Sequence, residues 1–103
     1  MPSTIRVRAQ AQNDQTEVQA LVQHPMDSGF VKDSSGTLIP PHYIEAVTFE
    51  HDGKKVLVAD WGPAVSKDPY IKFSFKGGAK GDPLTVTWVD NLGKTDTVTA
   101  KIS

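Results

Sequence analysis

His24 and Met26 flank Pro25, and an imidazole two residues from a thioether is a soft pair that Cu(I) accepts. On the loop of a β-sandwich such a pair would be the beginning of a small copper site. One histidine and one methionine are too few soft ligands to define it. The competing readings carry more weight: His24 caps a strand end while Met26 fills a gap under the loop, or the two contact a partner. The other histidines add no ligand spacing. His42 follows Pro40-Pro41 and opens a strand, and His51 precedes Asp52-Gly53, where a solvated hairpin tip is expected. No metal site is therefore expected. The run 76–82, Lys-Gly-Gly-Ala-Lys-Gly-Asp, offers backbone amides and two cations for a phosphate, but no helix start follows it, and a hairpin loop is the better reading. Asp33, Asp60, Asp90 and Asp96 stand near turn residues and read as solvated acids. A small hydrolase built from such scattered Asp and His residues is the weakest reading. No G-x-S-x-G elbow, P-loop or H-E-x-x-H motif supports it, and no catalytic residue is assigned.

The elements that must position these residues are strands. Val, Ile and Thr occupy 25 of the 103 positions, a composition that suits pleated, half-buried surfaces. Ile5, Val7, Ala9 and Ala11 alternate with Arg6, Arg8 and Gln10; Val18, Ala20 and Val22 repeat the pattern after an Asn13-Asp14 turn. Residues 24–41 interrupt it with three prolines and two glycines. That stretch is long for a structureless connection, and residues 30–32 and 37–39 can pair across Asp33-Ser34-Ser35-Gly36 as a small hairpin. Alternation then resumes. Tyr43, Glu45, Val47 and Phe49 are expected on one face, with Ile44, Ala46 and Thr48 on the other, followed by the Asp52-Gly53 turn and a return strand over 55–60. Ile71, Phe73 and Phe75 line one face of a strand over Tyr70–Lys76, and Leu84, Val86 and Trp88 line the next. Val98, Ala100 and Ile102 line the last. Trp61 and Trp88 read as packing residues. Seven or eight short antiparallel strands and no helical periodicity predict one all-β domain, residues 1–103, with an immunoglobulin-like sandwich fold.

Composition narrows the function classes. Eleven Lys and Arg against twelve Asp and Glu leave a net charge of −1, which argues against nucleic-acid binding through a basic field. No apolar run approaches the ~20 residues of a membrane span, so no membrane contact is expected. There is no cysteine, which removes disulfides, thiolate metal sites and Cys nucleophiles together. The two arginines near the start precede no apolar segment, so no secretory signal is expected.

The order of the loop motifs goes further. H-P-M-x-x-G-x-x-K-D spans 24–33, P-A-x-S-x-x-P-Y spans 63–70 and T-W-x-D spans 87–90, with Asn91-Leu92-Gly93 following. In this order and spacing, over roughly residues 5–102, the series resembles the SoxZ family of bacterial thiosulfate oxidation. The resemblance implies an immunoglobulin-like sandwich without enzymatic activity or cofactor. It implies a heterodimer with a SoxY-like subunit that carries sulfur intermediates on a cysteine near its C-terminus, and transient contact with the other Sox enzymes. It further implies a periplasmic location reached by export with that partner. The partner-contact candidates are His24, Met26, Lys32 and Asp33 in the long loop, with Asp68, Pro69 and Tyr70 beyond it; Pro25 and Gly29 shape the loop. On this reading Met26→Asp weakens association and leaves the fold intact. The sequence departs from the family pattern at Val31, where a basic residue often stands. An exposed apolar patch would let the isolated chain self-associate.

Overall fold

The computed structural model describes residues 4–62, 65 and 67–103. Of the P-A-x-S-x-x-P-Y motif, Pro63, Ala64 and Ser66 lie outside the described residues, as do residues 1–3. Seven strands follow one another: β1 Ile5–Gln12, β2 Gln15–Val22, β3 Ile44–His51, β4 Lys54–Asp60, β5 Tyr70–Lys76, β6 Pro83–Asp90 and β7 Thr95–Lys101. They form a three-stranded sheet in the order β1-β2-β5 and a four-stranded sheet in the order β4-β3-β6-β7, with every pairing antiparallel. This is the all-β, immunoglobulin-like sandwich that the alternation predicts.

The core is what two half-buried sheets must make when their apolar faces meet. Ile5, Ala9, Val18, Ala20 and Val22 point inward from the three-stranded sheet; Ile44, Val47, Phe49, Leu84, Val86 and Trp88 answer from the other. The rings of Phe49 and Phe73 meet edge to face across the gap, 4.8 Å between centroids. The turns use the residues that their geometry demands. Asn13 and Asp14, and then Asp52 and Gly53, adopt positive φ, as two-residue hairpin turns with the twist of their strands require.

One alternation is out of phase with the expectation. Ile44, not Tyr43 or Glu45, shares the inner face of β3 with Val47 and Phe49, and Glu45 is exposed. The register against β6 shifts between Ile44 and Ala46. A bulge there inserts one extra residue, so positions three apart point the same way. His51 also departs from the solvated tip. Its Nε2 lies 2.9 Å from Asp82 Oδ2 and its ring lies 5.2 Å from that of Phe75, which ties the β3–β4 turn to the β5–β6 loop.

The chain between β2 and β3 doubles back on itself. Asp27 and His42 exchange both backbone hydrogen bonds at its base, and Lys32 bridges Leu38 near its tip. The small hairpin expected across Asp33-Ser34-Ser35-Gly36 is thus present. Gly29 sits between base and tip at φ +90°, and a Cβ added there would lie 2.8 Å from Pro41 Cγ. Backbone conformation and close approach both demand glycine. Gly29→Ala is expected to lower stability by about 1–3 kcal/mol, read as an earlier urea midpoint.

Candidate functional site

The partner-contact candidates fall at one end of the sandwich, where the 23–43 connection, residues 67–69 and the β6–β7 turn converge. They divide into two groups by burial. His24, Met26 and Pro69 are buried; Lys32, Asp33, Asp68 and Tyr70 are exposed. His24 and Met26 therefore act on the surface only through the loop they hold. Met26 belongs to the hydrophobic core at 5% exposure, which corrects the expectation that Met26→Asp spares the fold.

The buried group is organised around a residue that reads from sequence as a solvated turn acid. Asp90, at the end of β6, is 1% exposed. Its Oδ2 lies 3.3 Å from His24 Nε2 and 2.8 Å from His42 Nε2. Its Oδ1 accepts hydrogen bonds from the backbone N–H groups of Leu92 and Lys94. A single carboxylate thus joins the long connection to the β6–β7 turn and closes that turn. Asn91 adds a second tie, its Oδ1 accepting from the Tyr43 N–H and its Nδ2 donating to the Pro41 carbonyl. His24 packs edge-on against both His42 and Trp88, at 4.5 and 5.2 Å between centroids. The Trp88 indole N–H donates to Thr4 Oγ1.

Among the described residues, His24, His42 and Asp90 form a group that could hold a metal ion, their ligand atoms lying within 4.8 Å of one another. The hydrogen bonds argue for a different use. His24 Nδ1 accepts from the Met26 N–H at 3.1 Å. The neutral ring must then carry its proton on Nε2, where it donates to Asp90. A metal at Nε2 would require the proton on Nδ1, facing a donor. The Met26 sulfur is likewise engaged, accepting from the Ile44 N–H at 3.3 Å. The donor atoms of the His24–Met26 pair are those that hold the loop in place, with Met26 at φ +50°. The cluster is a latch.

The loop after β4 is fastened to the same histidine. Asp68 Oδ1 accepts from the His24 N–H and the Asp68 N–H donates to the His24 carbonyl, while the Pro69 carbonyl accepts from the Val22 N–H. Of the exposed candidates, Asp33 is committed to its own turn. Its Oδ1 accepts from the Ser35 hydroxyl and from the N–H groups of Ser35 and Thr37, which hold its pKa below the ordinary carboxylate value.

The latch makes stability depend on pH. Burial chiefly, with His42 nearby, lowers the His24 pKa from 6.5 against the opposing pull of Asp90. Burial pushes Asp90 upward, but hydrogen bonds from His42, the Lys94 N–H, His24 and the Leu92 N–H outweigh it and leave its pKa below 3.8. In the window just below pH 6.5 the unfolded chain binds more protons at His24 than the folded chain does, so stability falls as pH falls. The Asp90 contribution is present above pH 3.8 and is lost as pH drops through its folded value. The urea midpoint is expected to be level from about pH 8 to 7, to decline below about pH 6.5 and to fall again below about pH 4. A midpoint unchanged from pH 7 to 5 would show that His24 titrates freely.

The fold and the latch define an immunoglobulin-like sandwich whose one elaborated end is a long, fastened connection. The model of the family described as sulphur oxidation protein SoxZ matches residues 5–101, and the chain belongs to the SoxZ family. Its role accordingly lies in sulfur oxidation. No curated protein matches the chain.

Proposed function

We propose that the chain is the non-catalytic subunit of a SoxYZ-type heterodimeric carrier. Its SoxY-like partner holds sulfur intermediates covalently on a C-terminal cysteine, and this chain supports that partner and helps present it to the enzymes that load and process the sulfur. The observation that carries the reading is the family match over 5–101 in a chain with no cysteine. Covalent carriage of sulfur needs a thiolate, so within such a pathway this chain takes the non-carrying role. Membership of the family also supports a periplasmic site of action, reached together with the partner.

Co-purification of the tagged chain from thiosulfate-oxidising cells, followed by intact-mass measurement, tests the proposal. The expected result is a 1:1 partner with a C-terminal cysteine bearing adducts that a reductant removes. Purification of the chain alone from such cells would overturn it.

A further inference from the structure

The charges of the chain are not evenly spread. The outer face of the three-stranded sheet carries Arg6 and Arg8 from β1 and Lys72 and Lys76 from β5, all exposed, with Glu17 of β2 as its one acid. Pairing sets Arg8 and Lys72 on either side of Gln19 in one cross-strand row, and Lys76 beside Gln15 at the far end. Four cations against one acid give this face +3, and the other seven cations and eleven acids of the chain leave −4 elsewhere. Glu17 is already engaged, 3.7 Å from Lys72 Nζ and accepting from Gln19 Nε2. Among the described residues, Arg6, Arg8 and Lys76 make no ion pair. Like charges gathered on one face repel each other, and an opposing acidic surface relieves that cost.

We propose that this face docks a carboxylate-rich protein surface in a transient encounter steered by charge. The inference goes beyond the carrier reading and does not depend on it. The face lacks the apolar centre of a permanent subunit contact. Its middle is a shallow polar hollow lined by Gln10, Gln12, Gln15 and Ser74, whose amides and hydroxyl can bond carboxylates or water. Tyr70, 58% exposed in the row of Arg6, is its one aromatic. Such a surface suits a small, wet interface that forms fast and dissociates fast. Charge also argues against a second copy, because the other sheet offers no acidic face. Its outer side is lined by threonines, with Thr85 and Thr87 hydroxyls 3.1 Å from those of Thr99 and Thr97, and its Glu50 stands opposite Lys55. A nucleic acid running past the face would meet the −4 of the remainder, and +3 releases few counterions.

The test uses the isotopically labelled full chain, titrated with poly-L-glutamate and followed by amide chemical shifts. Shifts confined to β1, β2 and β5 are expected, in fast exchange, with affinity at least about tenfold lower at about 0.2 M salt than at about 0.02 M. Arg6→Glu with Arg8→Glu turns the face from +3 to −1 and is expected to weaken binding at least about tenfold. Lys32→Glu with Lys94→Glu makes the same change in net charge on exposed loops and is expected to bind like wild type. Both double variants are first checked for an unchanged urea midpoint. Absence of shifts, shifts centred on the other sheet, or equal loss in the two double variants would overturn the inference. Tighter binding to oligo-dT or to phosphatidylglycerol vesicles than to poly-L-glutamate would overturn it in favour of a nucleic acid or a membrane. Salt-sensitive self-association abolished by the arginine variant would assign the face to a second copy and equally overturn it. If the cysteine-bearing subunit co-purifies and its complex masks these amides, the face belongs to that contact, which also overturns the inference while leaving the carrier reading standing.

Discussion

Met26→Asp is expected to lower stability by about 5 kcal/mol or more, enough to unfold most of the chain at neutral pH, given that a domain of this size has about 5–15 kcal/mol in total. Met26 is 5% exposed, in the core cluster that closes the latch end of the sandwich. Truncating such a side chain removes about 2–5 kcal/mol of packing. Placing an ionised carboxylate there adds the penalty of a buried charge without a cation to meet it. The acids on hand, Asp27 next in the chain and Asp90 across His24, oppose it further. The Ile44 N–H also loses the sulfur at 3.3 Å. Met26→Leu separates these effects. It keeps the volume and loses only the sulfur acceptor, so a cost below about 2 kcal/mol is expected. Far-UV circular dichroism and urea titration of the two variants check both numbers. A Met26→Asp chain with the wild-type midpoint would show that the side chain sits in water and the loop lies open.

The strands were legible because each has one wet face and one dry one, and a period of two is the direct imprint of that asymmetry. Where the imprint failed, at Glu45, the cause was a bulge, which changes phase without leaving a compositional mark. The tip hairpin was legible for another reason: Asp33-Ser34-Ser35-Gly36 satisfies its turn with its own side chains, within four residues. The latch was not. Asp90 lies 66 residues from His24 and 48 from His42, and an Asp before Asn-Leu-Gly has every local mark of a solvated turn. Nothing in its neighbourhood says that its carboxylate faces inward. The sequence hint was the joint presence of H-P-M and T-W-x-D among the family motifs, and the structure gives that pairing a physical meaning, since His24, Met26, Trp88 and Asp90 are in mutual contact through the His24 ring. Reading the motif as a recognition loop caught its place in the fold. Which of its residues face solvent depended on contacts between distant segments.

Asp90→Ala is expected to cost about 3–5 kcal/mol, because it leaves several buried donors without their acceptor at about 1–3 kcal/mol each. Four donors converge on this carboxylate: two imidazoles on Oδ2 and two backbone N–H groups on Oδ1. Alanine leaves the His24 Nε2–H inside the protein with its acceptor gone, because the Met26 N–H on Nδ1 forbids the other neutral tautomer. The turn Asn91-Leu92-Gly93 loses its closure in the same step. Asp90→Asn distinguishes the two roles. Its amide oxygen can still serve the Leu92 and Lys94 N–H groups, but its NH₂ then faces the His24 N–H, donor to donor. A cost between that of alanine and zero is expected, together with a flattening of the pH dependence below pH 4, since Asn does not titrate. His24→Asn, in contrast, should spare the turn and abolish the decline just below pH 6.5. If Asp90→Ala and His24→Asn both leave the unfolding free energy from urea titration within about 0.5 kcal/mol of wild type, the connection is held by its backbone ties at Asp27, His42 and Asn91, and the latch contributes nothing to stability.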